Sequence, residues 1–283
     1  MLGGSKLAVA GEGMMGPKVT LFRIVLWWAV SSTCAWAGSP SEPGAQLHGC
    51  AGIMPLGDSI TLGVNGGYRN DLYTGLEQNG CGVSYAGTLS DPNTRVSDKR
   101  HEGHPGLTIA DIAKNVDAWL ASTHPNIILL MIGTNDTAWW TNSDAAEIGV
   151  RHDALIGQLR SARPSAWIFV ASIPPQTSVL IHGKADGNAT TTSVDRAVLA
   201  QQLDAVIRRN VAIRAAAEQR VRFVDVNSVL TTADLYDGIH PTEAAHAKVA
   251  QKFLESIRAA LGPASNPATG LETGKVITSG RNR

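Results

Sequence analysis

Residues 126–136 read NIILLMIGTND. Ile127 to Ile132 are all apolar, and the run stops at Gly133. A strand with one wet face alternates apolar and polar residues. This one is apolar on both sides and therefore reads as a central strand, covered by other elements above and below.

The same rhythm recurs on either side. AGIMPLGD (51–58) reads as a strand ending at Gly57, VSYAG (83–87) as a second, WIFVAS (167–172) as a fourth stopped by Pro174-Pro175, and VRFVDV (221–226) as a fifth. Amphipathic stretches lie between them. GYRNDLYTGLEQNG (67–80) carries Leu72 and Leu76 and closes at Asn79-Gly80. TIADIAKNVDAWL (108–120) opens with Thr108 and Asp111 as a capping-box variant and sets Ile109, Ile112, Val116 and Leu120 on one face. Helices are also expected over Ala145–Ala162, Ser193–Gln219 and Thr242–Leu261, the last closed by Gly262-Pro263. Strands alternating with helices predict a three-layer α/β fold, a five-stranded parallel sheet with helices on both faces, in one domain over residues 50–262. Gln176–Thr192 reads as a surface excursion carrying the sequon Asn188-Ala189-Thr190, and residues 263–283 as a polar tail.

In such a sheet the ligand site lies at the carboxyl ends of the strands. Gly57-Asp58-Ser59 follows the first strand, HEGHPG (101–106) the second, Gly133-Thr134-Asn135-Asp136 the third, and LYDGIHPT (235–242) the fifth. Each part has a place in acyl transfer. Ser59 needs a base to become a nucleophile, and His240 suits neutral pH. Asp237, three residues before His240, can fix the imidazole tautomer. The Ser59 N–H, a loop glycine N–H and the Asn135 amide are candidate donors to an oxyanion. HEGHPG raises a second possibility, because it is one residue short of the zincin H-E-x-x-H. That motif needs a helix to aim both histidines at one metal, and Gly103, Pro105 and Gly106 make a helix here improbable. No metal or other cofactor is expected.

GDSITLG, HPGLT, IGTND and DGIHP, in this order, resemble the four blocks of the SGNH/GDSL hydrolases over roughly Gly52–Leu261. MPLGDSIT with GGYR, HEGHPG and IGTND resembles more narrowly the acetylxylan-esterase branch, carbohydrate esterase family 3. The resemblance implies a flavodoxin-like fold and cofactor-free ester hydrolysis. By block position it makes Ser59 the nucleophile, Asp237 and His240 its triad partners, and Gly106 and Asn135 oxyanion donors beside the Ser59 N–H. His101, Glu102 and His104 would then order their loop or line the entrance. The implied substrate is an acetylated polysaccharide, xylan above all. A lipid esterase or lysophospholipase on the same scaffold is the rival enzyme, and an inactive carbohydrate-binding relative the rival outside catalysis.

The 283 residues carry equal numbers of basic and acidic side chains, with no block of like charge, which argues against a nucleic-acid or anionic-membrane partner. A monomer is expected. Near the N-terminus, Lys18 and Arg23 precede the apolar run Ile24–Val30, and Ala35-Trp36-Ala37 has the shape of a signal-peptidase site. Residues 1–37 therefore read as a signal peptide, with Met14 or Met15 as alternative starts to Met1, and the protein as secreted or periplasmic. An uncleaved anchor is the alternative, though the run is short for a bilayer. Cleavage leaves 21 basic and 23 acidic residues, a net charge of about −2. It also leaves two cysteines, Cys50 and Cys81, each just ahead of an expected strand. A pair in an exported chain suggests a disulfide, and two buried thiols are the alternative.

Overall fold

Strand β1 (Ile53–Gly57) is buried at every position. It pairs in parallel with β4 (Ile127–Met131), register Ile53↔Ile127 to Gly57↔Met131. In the computed structural model, which describes residues 49–137, 143–185, 191–217 and 220–262, these two strands form the centre of a six-stranded sheet. Its order is β2 (Leu89–Ser90), β3 (Arg100–Gly103), β1, β4, β5 (Trp167–Ala171) and β8 (Val221–Val224). Five strands run parallel, and β2 adds an antiparallel edge to β3.

Side chains leave the sheet alternately on its two faces. Met54, Leu56, Ile128, Leu130, Ile168 and Val170 enter one core, beneath α3 (Ile109–Thr123), α4 (Ala145–Ala162) and α5 (Arg196–Ala217). Ile53, Ile127, Leu129, Met131, Phe169 and Ala171 enter the other, beneath α2 (Tyr68–Gln78) and α6 (Glu243–Leu261). This is the three-layer α/β fold expected from the alternation. The helix signals hold as well: Thr108 and Asp111 form a reciprocal capping box on α3, and Thr242 caps α6.

Two expectations are corrected. VSYAG does not form a full strand. Only Tyr85 bridges Ile53, through Ile53 N–H to Ser84 O and Ala86 N–H to Ile53 O, while the Asp98 carboxylate takes the Tyr85 N–H. The fifth parallel strand is instead β3, which includes the first three residues of HEGHPG, with Leu56↔Glu102 and Gly57↔Gly103 in register. The second correction concerns the excursion. Leu180–Ala185 (β6) and Thr191–Asp195 (β7) pair as an antiparallel hairpin, so α5 starts at Arg196 rather than Ser193.

Cys50 and Cys81 are joined by a disulfide, Cα atoms 5.8 Å apart. The Ile53–Tyr85 bridge just beyond them brings the two segments side by side. Residues 1–37, the tail 263–283, Asn188-Ala189-Thr190 and the expected end of α5 at 218–219 lie outside the described residues. Among the described residues no helix is long and apolar enough to cross a membrane.

Candidate active site

Ser59 opens a four-residue helix, α1 (Ser59–Leu62), directly after β1. Asp58 caps it, accepting the Ile60 N–H at 2.9 Å. Gly57 is required by close approach, because a Cβ there would lie 2.1 Å from the Met131 carbonyl oxygen of the neighbouring strand. Arg69, fully buried on α2, holds the far end of α1. Its Nε donates to Thr61 O and its Nη2 to Leu62 O and to the Asp91 carboxylate, at 2.9–3.2 Å. The helix that Ser59 opens is thus gripped at both ends.

His240 arrives from the loop between β8 and α6. Its Nε2 lies 2.8 Å from Ser59 Oγ, and its Nδ1 2.6 Å from Asp237 Oδ2. The turn builds its own orienter, since Asp237 Oδ1 accepts the backbone N–H of both Ile239 and His240. Gly238 makes this possible with φ of +84°. Burial alone would push the Asp237 carboxyl up, but the His240 N–H and imidazole and the Ile239 N–H outweigh it and hold it below the ordinary range. Asp58 moves the other way. Burial raises its carboxyl to about 7, only partly offset by the Ile60 N–H and by His240.

The donor candidates lie on the loops after β3 and β4. Gly106 is exposed, with φ of +79°, and neither its N–H nor that of Ser59 donates to another protein group among the described residues. The Asn135 amide nitrogen donates to Leu107 O at 2.9 Å, which ties its loop to the residue after Gly106.

His101, Glu102 and His104 serve one another and their neighbours. Glu102 is fully buried. It accepts from the Thr88 N–H and hydroxyl and pairs with His104 Nε2 at 2.7 Å. His104 stacks on Trp119, ring centroids 4.2 Å apart, and His101 Nδ1 accepts the Gly103 N–H. Burial lowers the His101 pKa to about 4, so its ring is neutral. None of the three lines the cavity beside Ser59. Among the described residues no three His, Cys, Asp or Glu side chains form a group that could hold a metal ion.

Sequence reasoning missed Arg69 and Asp91. An arginine on a helix face that otherwise packs Leu72 and Leu76 inward was the available signal, but its acceptors lie on other elements.

A hydroxyl within hydrogen-bond reach of an imidazole, itself held by a carboxylate, can transfer an acyl group when amide donors stand nearby. The chain belongs to the GDSL-like lipase/acylhydrolase family, whose model matches residues 56–248. It is similar to a multidomain esterase of Ruminococcus flavefaciens, 28% identical over 261 residues, and spans 81% of its own length but only 31% of that protein's. Among solved structures it is similar to a family 3 carbohydrate esterase of Clostridium thermocellum, with 29% identity and a TM-score of 0.58, over 77% of this chain and 100% of that one. It shares the fold of a family 3 carbohydrate esterase from Talaromyces cellulolyticus, with 24% identity and a TM-score of 0.61, over 76% and 98% of the two chains.

Proposed function

We propose that this chain is an exported serine esterase that removes O-acetyl groups from plant-wall polysaccharide, xylan above all. Residues 1–37 act as its signal peptide, 50–262 as the hydrolase domain and 263–283 as a polar tail. The observation that carries the reading is the continuous relay from Ser59 Oγ through His240 to Asp237, at 2.8 and 2.6 Å. The carbohydrate side rests on the names of its relatives, which are carbohydrate esterases or a multidomain esterase.

The steps follow from the atoms present. His240 Nε2 takes the Ser59 proton as Oγ attacks the ester carbonyl. Asp237 holds the Nδ1 proton and stabilises the imidazolium. The carbonyl oxygen gains the negative charge and is met by the Ser59 and Gly106 N–H groups and the Asn135 amide. The C–O bond to the sugar breaks, and the sugar oxygen leaves with the proton from His240. Water, deprotonated by the same imidazole, then releases acetate from Ser59.

Acetate release should be followed from acetylated xylan, acetylated mannan, acetylated pectin and lysophospholipid, with wild type and Ser59→Ala. Xylan should be the best substrate, and Ser59→Ala should lose about three orders of magnitude or more in kcat. Exhaustive EDTA should leave the rate intact, since no step is assigned to a Lewis acid. Near-normal turnover by Ser59→Ala would refute the nucleophile, and preference for lysophospholipid would move the reading to lipids.

A further inference from the structure

A cavity of about 390 Å³ opens beside Ser59, lined among others by Asn65, Asn93, Tyr236, His240 and His246. A second hollow of about 240 Å³ shares Asn65, Tyr236 and His246 and extends the groove toward Glu243. We infer that this groove is the alcohol-side subsite of the esterase proposed above, and that it takes an uncharged pyranosyl ring with Tyr236 as the aromatic platform.

The first reason is directional. In acyl transfer the carbonyl oxygen faces the oxyanion donors, while the leaving oxygen must collect its proton from the imidazole. His240 lines the cavity, and neither Gly106 nor Asn135 does. The groove therefore lies on the leaving-group side, and an acetyl group alone would leave most of it empty.

The second reason is the chemistry of the walls. Among the described lining residues there is no lysine or arginine. Asp91 is taken up by buried Arg69, the Asn93 N–H and the Thr94 hydroxyl. The cation at the far end, Arg95, is already paired with Glu243, so a phosphate headgroup would find no uncommitted cation among these residues, whereas a neutral sugar needs none. The side-chain amides of Asn65 and Asn93 make no protein hydrogen bond among the described residues, and each offers both donor and acceptor to a hydroxyl. Asn65 is held at a left-handed φ of 53°, which fixes its position on the rim. His246 lines both hollows but is only 3% exposed, and its unpartnered Nδ1 is itself buried, beside Gly67. Burial and His240 lower its pKa to about 4, so its ring adds no charge to the wall.

The third reason is Tyr236. It is 58% exposed, unusual for a large ring, and lies 5.7 Å from the His240 ring at 18°. Its N–H donates to His240 O at 3.0 Å, and Leu235 bridges Pro241. The platform and the base therefore ride on one turn, so a ring resting on Tyr236 is indexed to the proton it must receive.

The test compares kcat/KM for methyl 2-O-acetyl-β-xyloside with that for methyl acetate, which carries the same acyl group and no ring, in wild type, Tyr236→Ala and Asn93→Ala. Wild type should prefer the xyloside. Tyr236→Ala should cut that preference about tenfold or more, chiefly through KM, and Asn93→Ala by a smaller factor in the same direction. Binding of the xyloside to Ser59→Ala, weakened when Tyr236→Ala is added, should follow by calorimetry. A wild-type preference near one, or a Tyr236→Ala loss equal on both esters, would overturn the subsite and leave the esterase standing. Hydrolysis of neither ester by wild type would instead bring down the esterase reading.

Discussion

Asn135 and Leu107 are joined by a hydrogen bond from the side-chain amide of the first to the carbonyl of the second, 2.9 Å long. The bond uses one N–H of a group that has two. It links the loop after β4 to the turn carrying Gly106, so the second N–H and the Gly106 N–H are set relative to each other.

Replacing Asn135 with Ala should reduce kcat by about 10²–10³ with little change in KM. Asn135→Asp should be at least as damaging, since a carboxylate faces both the Leu107 carbonyl and a developing oxyanion. Steady-state kinetics on an acetyl ester decide it, with circular dichroism to show that both variants fold. Wild-type kcat in Asn135→Asp would remove Asn135 from the mechanism.

Arg69 is fully buried, and it serves two carbonyls of α1 and one carboxylate. Arg69→Met should destabilise the fold by about 3–5 kcal/mol in urea unfolding, because Asp91 loses its counter-charge and the Thr61 and Leu62 carbonyls lose their donor. Arg69→Lys should recover little, as one ammonium cannot copy a fork that reaches three acceptors. An Arg69→Met midpoint equal to wild type would show the network to be energetically neutral.

His152 is fully buried on α4, and neither ring nitrogen has a hydrogen-bond partner. Burial lowers its pKa to about 4, with Asp153 and Arg214 acting in opposite directions. The native ring thus stays neutral, while the unfolded ring protonates below its ordinary 6.5. Its contribution is complete above that pH and is lost as pH falls toward 4. His101 and His246 act with the same sign, and raised Asp58, Asp136 and Asp204 with the opposite one, so only a difference between variants isolates it. His152→Leu should be at least as stable as wild type at pH 7.5, and should gain about 2 kcal/mol more by pH 5. A constant difference between the two pH values would contradict the buried neutral ring.

The Cys50–Cys81 bridge closes a loop of sequence separation 31. In the chain-entropy model its reduction should lower stability by about 3–4 kcal/mol. Protein from an oxidising compartment should show no titratable thiol under denaturing conditions once residues 1–37 are removed. Two thiols per chain would refute the bridge.

The sequence alone determined the layered fold, because its signals are local. An apolar run such as Ile127–Met131 must be covered on both faces, and a Thr108/Asp111 capping box satisfies helix N–H groups within four residues. The candidate relay was legible because its signals are local too: Ser59 follows the end of β1 by two residues, and Asp237 and His240 lie three residues apart in one turn before α6. Tertiary structure decided what depends on distant partners. Arg100–Gly103 is polar and short, and it is a strand only because β1 offers it an edge, while VSYAG keeps one bridge because Pro55 has no N–H to give it and the next N–H on that side, from Thr88, goes to Glu102. Gln176 to Asp195 carried no periodicity to reveal the β6–β7 pairing. Arg69 gains its meaning from Thr61, Leu62 and Asp91, and Tyr236 from its place against His240. Strand pairing and buried polar contacts are set by neighbours remote in sequence, so no local window of the chain contains them.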